Sequence, residues 1–441
     1  MEPVNLRSRG SRRALIAVAV VLLLQVVAPA AATAASPLPT GFPDTCAPKA
    51  RSGAARGACV RLLSASQAQA IKARSNAVRQ RALRVDLPDE CGFVGEVFAP
   101  NPDRFTSCSD LFWELYLYER RSDGTVVTTG ALTVENLQWT RYVFNSLTWE
   151  HGVSVFVYYG SGTLANGTQA LATSLCAANP DCAVTGAGAP ASVAVNLAPG
   201  ADNSWIWRET DTGPALNLEK GMTFHDLLGM SLASSTTPGG DWHMQDSYLI
   251  GRCDAMVGRN KGCVNPEYIP TLSLSQTQFG ASAAMIKWAQ IHLRDQWGYR
   301  PSGSPLHRFA DDEGPNRRVI CDGTWVADEV MNAALAAYGP DERDSCDEFA
   351  FASSYESGNL KGVTSGAQCA QVTAIRTDTT NTDQAKDWND ISPVGVFTGA
   401  ERCVRGHIPQ KLNTALGGEL GRFSPAVRLL DRDPYWLDIV P

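Results

Sequence analysis

The residues best suited to chemistry are carboxylates in the C-terminal third of the chain. The segment 344–358 reads DSCDEFAFASSYESG and holds Asp347, Glu348 and Glu356 among aromatic and small residues. Paired carboxylates either bind a hard divalent cation through oxygen or divide the acid and base roles on a substrate. Alternation over 348–353 indicates a short strand, and the glycine that ends the segment allows a loop to bring Glu356 back toward Glu348. An acidic surface turn is the alternative interpretation.

Two further elements carry side chains that suit a metal or a phosphate. Asn413 is followed by Gly417 and Gly418. An Asn at this place either caps a short helix or offers a neutral oxygen to a metal. His407 is a weaker candidate for a general base. Arginines farther upstream either grip phosphates or form a solvated face. These arginines are Arg308, Arg317 and Arg318.

Taken together, these elements resemble the NucA/NucB-type deoxyribonuclease family. Residues 345–358 are similar to its signature C-D-E-[YF]-P-F-A-S-[TS]-x-E-G-G. Residues 305–321 resemble P-L-x-R…N-R-R-x-x-C, and residues 413–421 resemble N-x-x-x-G-G-x-L-G. Residues 429–436 are similar to V-L-D-G-D-x-F-[WY], and residues 252–264 resemble the entry segment of secreted actinobacterial-type members. Five pieces follow one another in the family's order.

The resemblance implies an exported, metal-dependent endonuclease that cuts DNA with little sequence preference. It places Asp347, Glu348 and Glu356 at the catalytic centre, with Asp347 or Glu348 as the base. Glu356 and Asn413 would bind a divalent cation, Mg²⁺ or Mn²⁺, which polarises the scissile phosphate. Three arginines would hold the phosphates of the substrate: Arg308, Arg317 and Arg318.

The chain departs from the family pattern at several places. Ala350 stands where the family has Pro, and Ser357 replaces the first Gly of its E-G-G. Arg432 replaces the Gly of D-G-D, which is a tight-turn position. The polar stretch 361–402 is longer than the family's connection. These departures leave a degenerate copy of the nuclease as the alternative.

The N-terminus has the pattern of an export signal. Arginines precede an apolar run over 14–27, and a small-x-small site follows at 32–34. This pattern predicts a signal peptide over 1–35 and a secreted protein, by the general secretory route rather than the twin-arginine route. The apolar run is too short to span a bilayer comfortably, so we expect no transmembrane segment in the mature chain.

The cysteine count agrees with export. The chain has 12 Cys, and thiols oxidise outside the cytoplasm, so up to six disulfides are expected. A zinc site has no support, because the sequence holds no C-x-x-C pair. Pairing of neighbours is the simplest prediction: 46–59, 91–108, 176–182, 253–263, 321–346 and 369–403.

Composition and patterning predict an α+β protein of two main parts. A leader and basic helical segment covers 36–85, and it is either solvated or in contact with an anionic polymer. A β-rich accessory domain over 86–250 has short alternating strands that favour a β-sandwich. A compact α/β domain covers 251–441, and the resemblance to the nuclease family implies that this domain is of the ββα-metal kind.

Local patterns inside the last domain are more specific. Apolar residues at helical spacing predict helices over 282–296 and 324–338. Residues 427–440 read as a hairpin.

The chain as a whole is predicted to be a secreted endonuclease that contacts DNA through its phosphates. A net charge of −7 excludes a generally basic coat, but nonspecific DNA binding needs only local arginines. The alternative is a non-catalytic secreted protein. In that case the Trp and Tyr residues of the β-sandwich would bind wall or surface glycans, and the nuclease domain would be degenerate.

Overall fold

A computed structural model describes most of the chain beyond the leader. It covers residues 46, 55–79, 87–94, 97–98, 102–174, 176, 182–185, 191–212, 222–225, 228–232, 241–243, 249–257, 260–380 and 382–441. The predicted signal peptide over 1–35 and most of the leader lie outside the described residues. Strands and helices are both present, and strands hold more residues than helices.

The described part of the β-rich half consists of strands, one α-helix and one 3₁₀ turn, Asp89–Cys91. Its α-helix is α1 (Ala65–Arg79). The strands, together with β14 and β15 at the C-terminal boundary of the half, are β1 (Arg56–Leu62), β2 (Phe93–Val94), β3 (Val97–Phe98), β4 (Thr106–Arg120), β5 (Val126–Arg141), β6 (Thr148–Gly162), β7 (Gln169–Ser174), β8 (Cys182–Thr185), β9 (Ser192–Asn196), β10 (Asp202–Asp211), β11 (Met222–His225), β12 (Leu228–Leu232), β13 (Asp241–His243), β14 (Ile250–Asp254) and β15 (Gly262–Val264).

Two antiparallel sheets of this half share one hydrophobic core. The larger sheet has the order β1-β4-β5-β6-β10-β8, and the smaller has the order β13-β12-β7-β9. Strand pleating sends alternate side chains to the core, so apolar residues of β4, β5, β6, β7 and β9 meet there. Trp113, Trp149 and Trp207 are among the largest fully buried side chains.

The basic helix α1 packs on the larger sheet instead of standing free. Ala68 and Ile71 pack against an apolar cluster that includes Phe112. Lys72 Nζ lies 2.5 Å from Asp110 Oδ2 and 3.6 Å from Glu135 Oε1. The charge of Lys72 is therefore neutralised by the sheet, whereas an arm that reaches an anionic polymer would present it outward.

The C-terminal half mixes short strands with helices. Its helices are α2 (Gln276–His292), α3 (Gly314–Ile320), α4 (Glu329–Leu335), α5 (Gln384–Asp387) and α6 (Gln410–Ala426). Its strands are β16 (Thr271–Ser275), β17 (Leu306–His307), β18 (Asp344–Phe349), β19 (Ala370–Ile375), β20 (Asp390–Val394), β21 (Val404–Pro409) and β22 (Pro434–Val440).

Helix α2 is the centre of this half. It packs against the mixed sheet β18-β21-β19-β20 and the sheet β16-β22-β17. Its backbone bends at Gly280, which has φ +49°. A Cβ at Gly280 would lie 2.5 Å from the carbonyl oxygen of Trp388, so the close approach of these two backbones requires glycine.

The predicted C-terminal hairpin is wrong. Strand β22 runs parallel to β16 and antiparallel to β17, and residues 427–430 form no strand with it. The predicted helix over 324–338 is shorter, because α4 and one 3₁₀ turn, Ala336–Tyr338, make up its second half.

Buried Arg104 joins the β-rich half to the C-terminal half, and Arg252 and Arg428 form buried ion pairs beside it. Arg104, which is 3% exposed, donates from Nη2 to Asp433 Oδ2 at 2.7 Å. Arg252 donates from Nη1 to Asp433 Oδ1 at 2.7 Å. Arg428 donates from Nε to Asp254 Oδ2 at 3.0 Å. Each buried charge is thus paired and hydrogen-bonded, as burial of a charge demands.

The six predicted disulfides are confirmed. The pairs are Cys46–Cys59, Cys91–Cys108, Cys176–Cys182, Cys253–Cys263, Cys321–Cys346 and Cys369–Cys403. None of the helices in the described part of the chain has the length and apolar run needed to cross a bilayer. The predicted boundary at 250–251 falls inside β14.

Candidate active site

A cleft of about 600 Å³ lies between strand β18 and helices α3 and α6, with the loop 308–313 along its rim. We call it the first cleft. Its apolar wall comes mainly from Leu416, Leu420 and Tyr435. Five residues predicted from the sequence line it: Arg308, Arg317, Asp347, Glu348 and Asn413.

Asp347 is a buried acid of the first cleft with a raised pKa. It lies on β18 and is 6% exposed. Its Oδ1 accepts the N–H of Glu348 at 2.9 Å, its Oδ2 is buried, and the nearby Ser282 hydroxyl favours the ionised form. Burial, followed by the adjacent charge of Glu348, raises the pKa of Asp347 to about 7. A carboxylate in this state can accept a proton near neutral pH.

Glu348 lies beside Asp347 and is paired with an arginine. Arg317 donates from Nε to Glu348 Oε1 at 3.1 Å. Burial raises the pKa of Glu348 although Arg317 opposes the shift. The charge of Glu348 in turn raises the pKa of Arg317, so this guanidinium stays protonated.

Asn413 is oriented by the strand that carries the acids. Its Nδ2 donates to Ser345 Oγ at 3.1 Å and to the carbonyl oxygen of Cys346 at 3.0 Å. With both donors used in this way, Oδ1 is turned away from β18. No described residue donates to Oδ1, which leaves it available as a neutral oxygen ligand.

Arg308 and Arg318, both predicted to hold phosphates, occupy different places. Arg308 lines the first cleft and donates from Nη1 to the carbonyl oxygen of Leu429. Burial lowers the pKa of Arg308, against the opposing charges of Asp433 and Asp431. Arg318 is exposed on α3 and does not line the first cleft.

Glu356 is buried, but it does not line the first cleft. It accepts the backbone N–H of His307 at Oε2 (2.7 Å), and His307 Nδ1 lies 3.1 Å from Oε1. Lys361 Nζ is 3.8 Å from Oε1. The structure therefore does not bring Glu356 back to Glu348. Its carboxylate holds β17 instead.

Sequence reasoning missed three acids on the rim of the first cleft. Asp311, Asp312 and Glu313 are exposed and line it. The signal was present as three consecutive acids directly before α3. The first cleft thus holds five carboxylates and two guanidinium groups, so its field attracts cations and repels a polyanion that arrives without one.

The oxygen donors of the first cleft suit a hard divalent cation. Within the described ranges, no group of three or more His, Cys, Asp or Glu side chains is placed to bind a metal. Mg²⁺, however, is commonly held by one or two carboxylates and keeps several water ligands. Glu348 and the free Oδ1 of Asn413 provide such a donor set, so these residues fit the implied cation.

Comparisons with known proteins identify no family for this chain. The sequence matches no protein-family model, and no curated protein matches it. The resemblance carried by the motifs therefore stays a prediction, and the geometry of the cleft has to support the function.

His407 lies outside the first cleft. Its Nδ1 is 2.6 Å from Asp344 Oδ2, and its ring stacks on Trp325 at 5.3 Å between centroids. With its ring nitrogen directed at Asp344 and its face on an indole, His407 is held in one orientation. Neither contact directs it toward Asp347.

Proposed function

We propose that this chain is an exported, metal-dependent endonuclease that hydrolyses phosphodiester bonds of DNA with little sequence preference. The observation that carries the proposal is the meeting of three distant segments at one cleft. These segments contribute Arg308 and Arg317, then Asp347 and Glu348, and finally Asn413. The motif resemblance links the same segments, which supports the proposal independently of the geometry.

Asp347 is the proposed general base. Its side chain lines the first cleft, and its raised pKa suits a base that takes a proton from the attacking water near neutral pH. Glu348 and Asn413 would hold the divalent cation, which when bound supplies Lewis-acid polarisation of the scissile phosphate.

Two arginines have the proposed role of binding phosphate. Arg317 lies on the wall of the first cleft with its side chain half exposed. Arg308 reaches the cleft from the opposite rim. Guanidinium groups suit phosphate oxygens because their N–H fork matches two acceptors. Arg318, being exposed outside the cleft, is not part of this set.

Glu356 is a positioning residue in this proposal. It fixes the backbone and ring of His307, which directly precedes Arg308. We expect Glu356→Gln to slow cleavage less than Asp347→Asn, because only the latter removes a group that exchanges a proton with water.

The proposal includes the finer assignments made from the sequence. The shared core of two antiparallel sheets supports a β-sandwich class for the accessory half. The segment β21–α6 beside β18 supports a ββα-metal class for the other half. The six disulfides support an exported protein, because such bonds persist in oxidising compartments.

The test is plasmid nicking by the full-length oxidised protein with Mg²⁺, Mn²⁺ or EDTA. We expect cleavage with a divalent cation, none in EDTA, and a loss of about 100-fold or more in Asp347→Asn. The matched control is Asp438→Asn, an exposed carboxylate outside the cleft.

Failure of folded protein to nick DNA with any cation would overturn the proposal. It would favour the non-catalytic alternative, in which the β-rich half binds glycans. In that half Trp113, Trp149 and Trp207 are fully buried and present no surface to a sugar ring, so among these neighbours the partly exposed Trp205 is the side chain that the alternative would use.

A further inference from the structure

A second cleft of about 590 Å³ adjoins the first one. The two clefts share four lining residues, which therefore lie between them: Glu313, Arg317, Asn413 and Gly417. A linear polymer bound across Arg317 would occupy both clefts at once. The second cleft has no role in the proposed cleavage chemistry, so what it binds is a separate question.

The wall of the second cleft offers an aromatic surface and unpaired hydrogen-bonding atoms. Trp325 lines it and is partly exposed. Asp344 also lines it and is 3% exposed. Asp344 Oδ1, Gln410 Oε1 and Trp325 Nε1 are buried without hydrogen-bond partners. The partly exposed indole of Trp325 offers a stacking surface to a planar aromatic ring, as a nucleobase has.

The charge of the second cleft differs from that of the first. Asp344 lies 2.6 Å from His407 and also accepts the N–H of Asp328, so its charge is engaged. Arg343 is exposed, lines the cleft and forms no ion pair with any described residue. The exposed acid Glu313 also lines the cleft, and Arg317 is paired with Glu348, so Arg343 is the group that makes this cleft acceptable to a phosphate.

Helix α6 strengthens the case for a phosphate. Gln410, Asn413 and Thr414 of its first turn line the second cleft, and no side chain caps the helix. The N–H of Gln410 donates to the carbonyl oxygen of Arg343, while the N–H groups that follow it in the first turn and the helix dipole favour an anion at this end. The indole, the unpaired polar atoms, the free guanidinium and the helix end thus meet in one place.

We propose that the second cleft binds one nucleotide next to the scissile phosphate, with its base against Trp325 and its phosphate on Arg343. The inference rests on the proposed function and names the substrate more closely. A base can enter the cleft only after it leaves the duplex stack. Single strands, gaps and frayed ends are therefore the preferred substrates.

The test is binding of a fluorescein-labelled (dC)8 strand to the full-length protein in EDTA, followed by anisotropy. We expect Trp325→Ala to weaken binding about 10-fold, as loss of one stacked base does. Arg343→Ala should lower the slope of log K against log salt by about 0.7, the value for one single-strand phosphate.

The chain offers a matched control for each variant. Trp288 stacks on His292 at 4.5 Å, as Trp325 does on His407, but it lines neither cleft. Arg294 is exposed and lines neither cleft. Trp288→Ala and Arg294→Ala should bind (dC)8 as the unchanged protein does, and circular dichroism checks that each variant folds.

A labelled hairpin duplex completes the design. The unchanged protein should bind the single strand more tightly than the hairpin, and Trp325→Ala should remove that difference. Equal binding of (dC)8 by the unchanged protein, Trp325→Ala and Trp288→Ala would overturn the inference, whether or not the protein cleaves DNA. Because the assay contains no metal, its result is distinct from a failure of the proposed endonuclease activity.

Discussion

Both halves of the molecule bury carboxylates, but they treat them differently. In the β-rich half, Glu209 is fully buried and accepts hydrogen bonds from Trp149 Nε1 at 3.0 Å and from Ser174 Oγ at 2.5 Å, and its Oε1 lies 3.3 Å from His151 Nδ1. In the C-terminal half, Asp347 is also buried, but it lines a cleft, and its burial raises its pKa to about 7. Burial of an acid alone therefore does not mark a candidate site. Burial at the wall of a cleft together with a raised pKa singles out Asp347.

The largest expected effect concerns the joint between the halves, by which we mean the buried ion pair of Arg104 with Asp433. Removing Arg104 leaves Asp433 with one guanidinium fewer and empties a buried site. We expect Arg104→Ala to lower the free energy of unfolding by about 3–5 kcal/mol, measured by urea titration. The control is Arg56→Ala, since the exposed pair of Arg56 with Glu119 contributes under about 1 kcal/mol.

Loss of Arg104 should also affect the first cleft. The backbone N–H of Arg308 donates to the carbonyl oxygen of Asp433 at 3.0 Å, so the loop held by Arg104 supports a proposed phosphate ligand. Arg104→Lys keeps the positive charge but loses the forked guanidinium. We expect its free energy of unfolding to lie between that of the unchanged protein and that of Arg104→Ala. A stability of Arg104→Ala equal to that of Arg56→Ala would show that the two halves do not depend on this joint.

Asp347 should make stability depend on pH. The folded state raises the pKa of Asp347 from 3.8 to about 7, so its contribution is complete below pH 4 and is lost as pH rises through 7. In EDTA, the unchanged protein should lose about 3 kcal/mol more stability between pH 5 and pH 8 than Asp347→Asn does. Parallel pH curves for the two proteins would contradict this.

Glu209, whose carboxylate is hydrogen-bonded in the β-rich half, should affect stability but not DNA nicking. Glu209→Gln replaces one acceptor oxygen by an NH₂ group that faces hydrogen-bond donors, so we expect a loss of about 2 kcal/mol in the free energy of unfolding. DNA nicking by the folded fraction should stay unchanged, because Glu209 is distant from both clefts. Slower nicking by fully folded Glu209→Gln would mean that the β-rich half takes part in the reaction.

The smallest expected effect concerns a turn beside the joint. Arg432 has φ +68°, where a Cβ is unfavourable, and the resemblance had marked this position as one for Gly. Arg432→Gly should raise stability by up to about 1 kcal/mol, since the relief of backbone strain exceeds the lost contact with the Tyr355 ring. Thermal unfolding measures this shift, and a lower Tm would contradict it.

Much of the local structure followed from the sequence. All six disulfides join neighbours in the chain, at separations of 6 to 34 residues, so pairing by order was sufficient. The helix predicted over 282–296 corresponds to α2, although it begins earlier, at Gln276. The hairpin failed because β22 pairs with β16, more than 160 residues away. A distant strand leaves no mark on the local alternation of residues.

The site was only partly predictable. Motifs singled out Asp347, Glu348 and Asn413, and the structure brings these together. The same motifs could not show that Glu356 lies outside the first cleft, because the eight residues after Glu348 are long enough to place its carboxylate either inside or outside. The rim acids Asp311 and Asp312 belong to no motif, and only their position at the cleft gives them a role.

The sequence by itself determined the residue types that can do chemistry and the elements with short-range patterns, because these depend on neighbours along the chain, and it predicted the disulfide partners by chain order. The tertiary structure alone decided which carboxylates share a cleft, that Asp347 titrates near pH 7, and that Arg104 joins the two halves. Those properties arise from removal of water and from charges brought close by folding, and both are set by contacts between residues far apart in sequence.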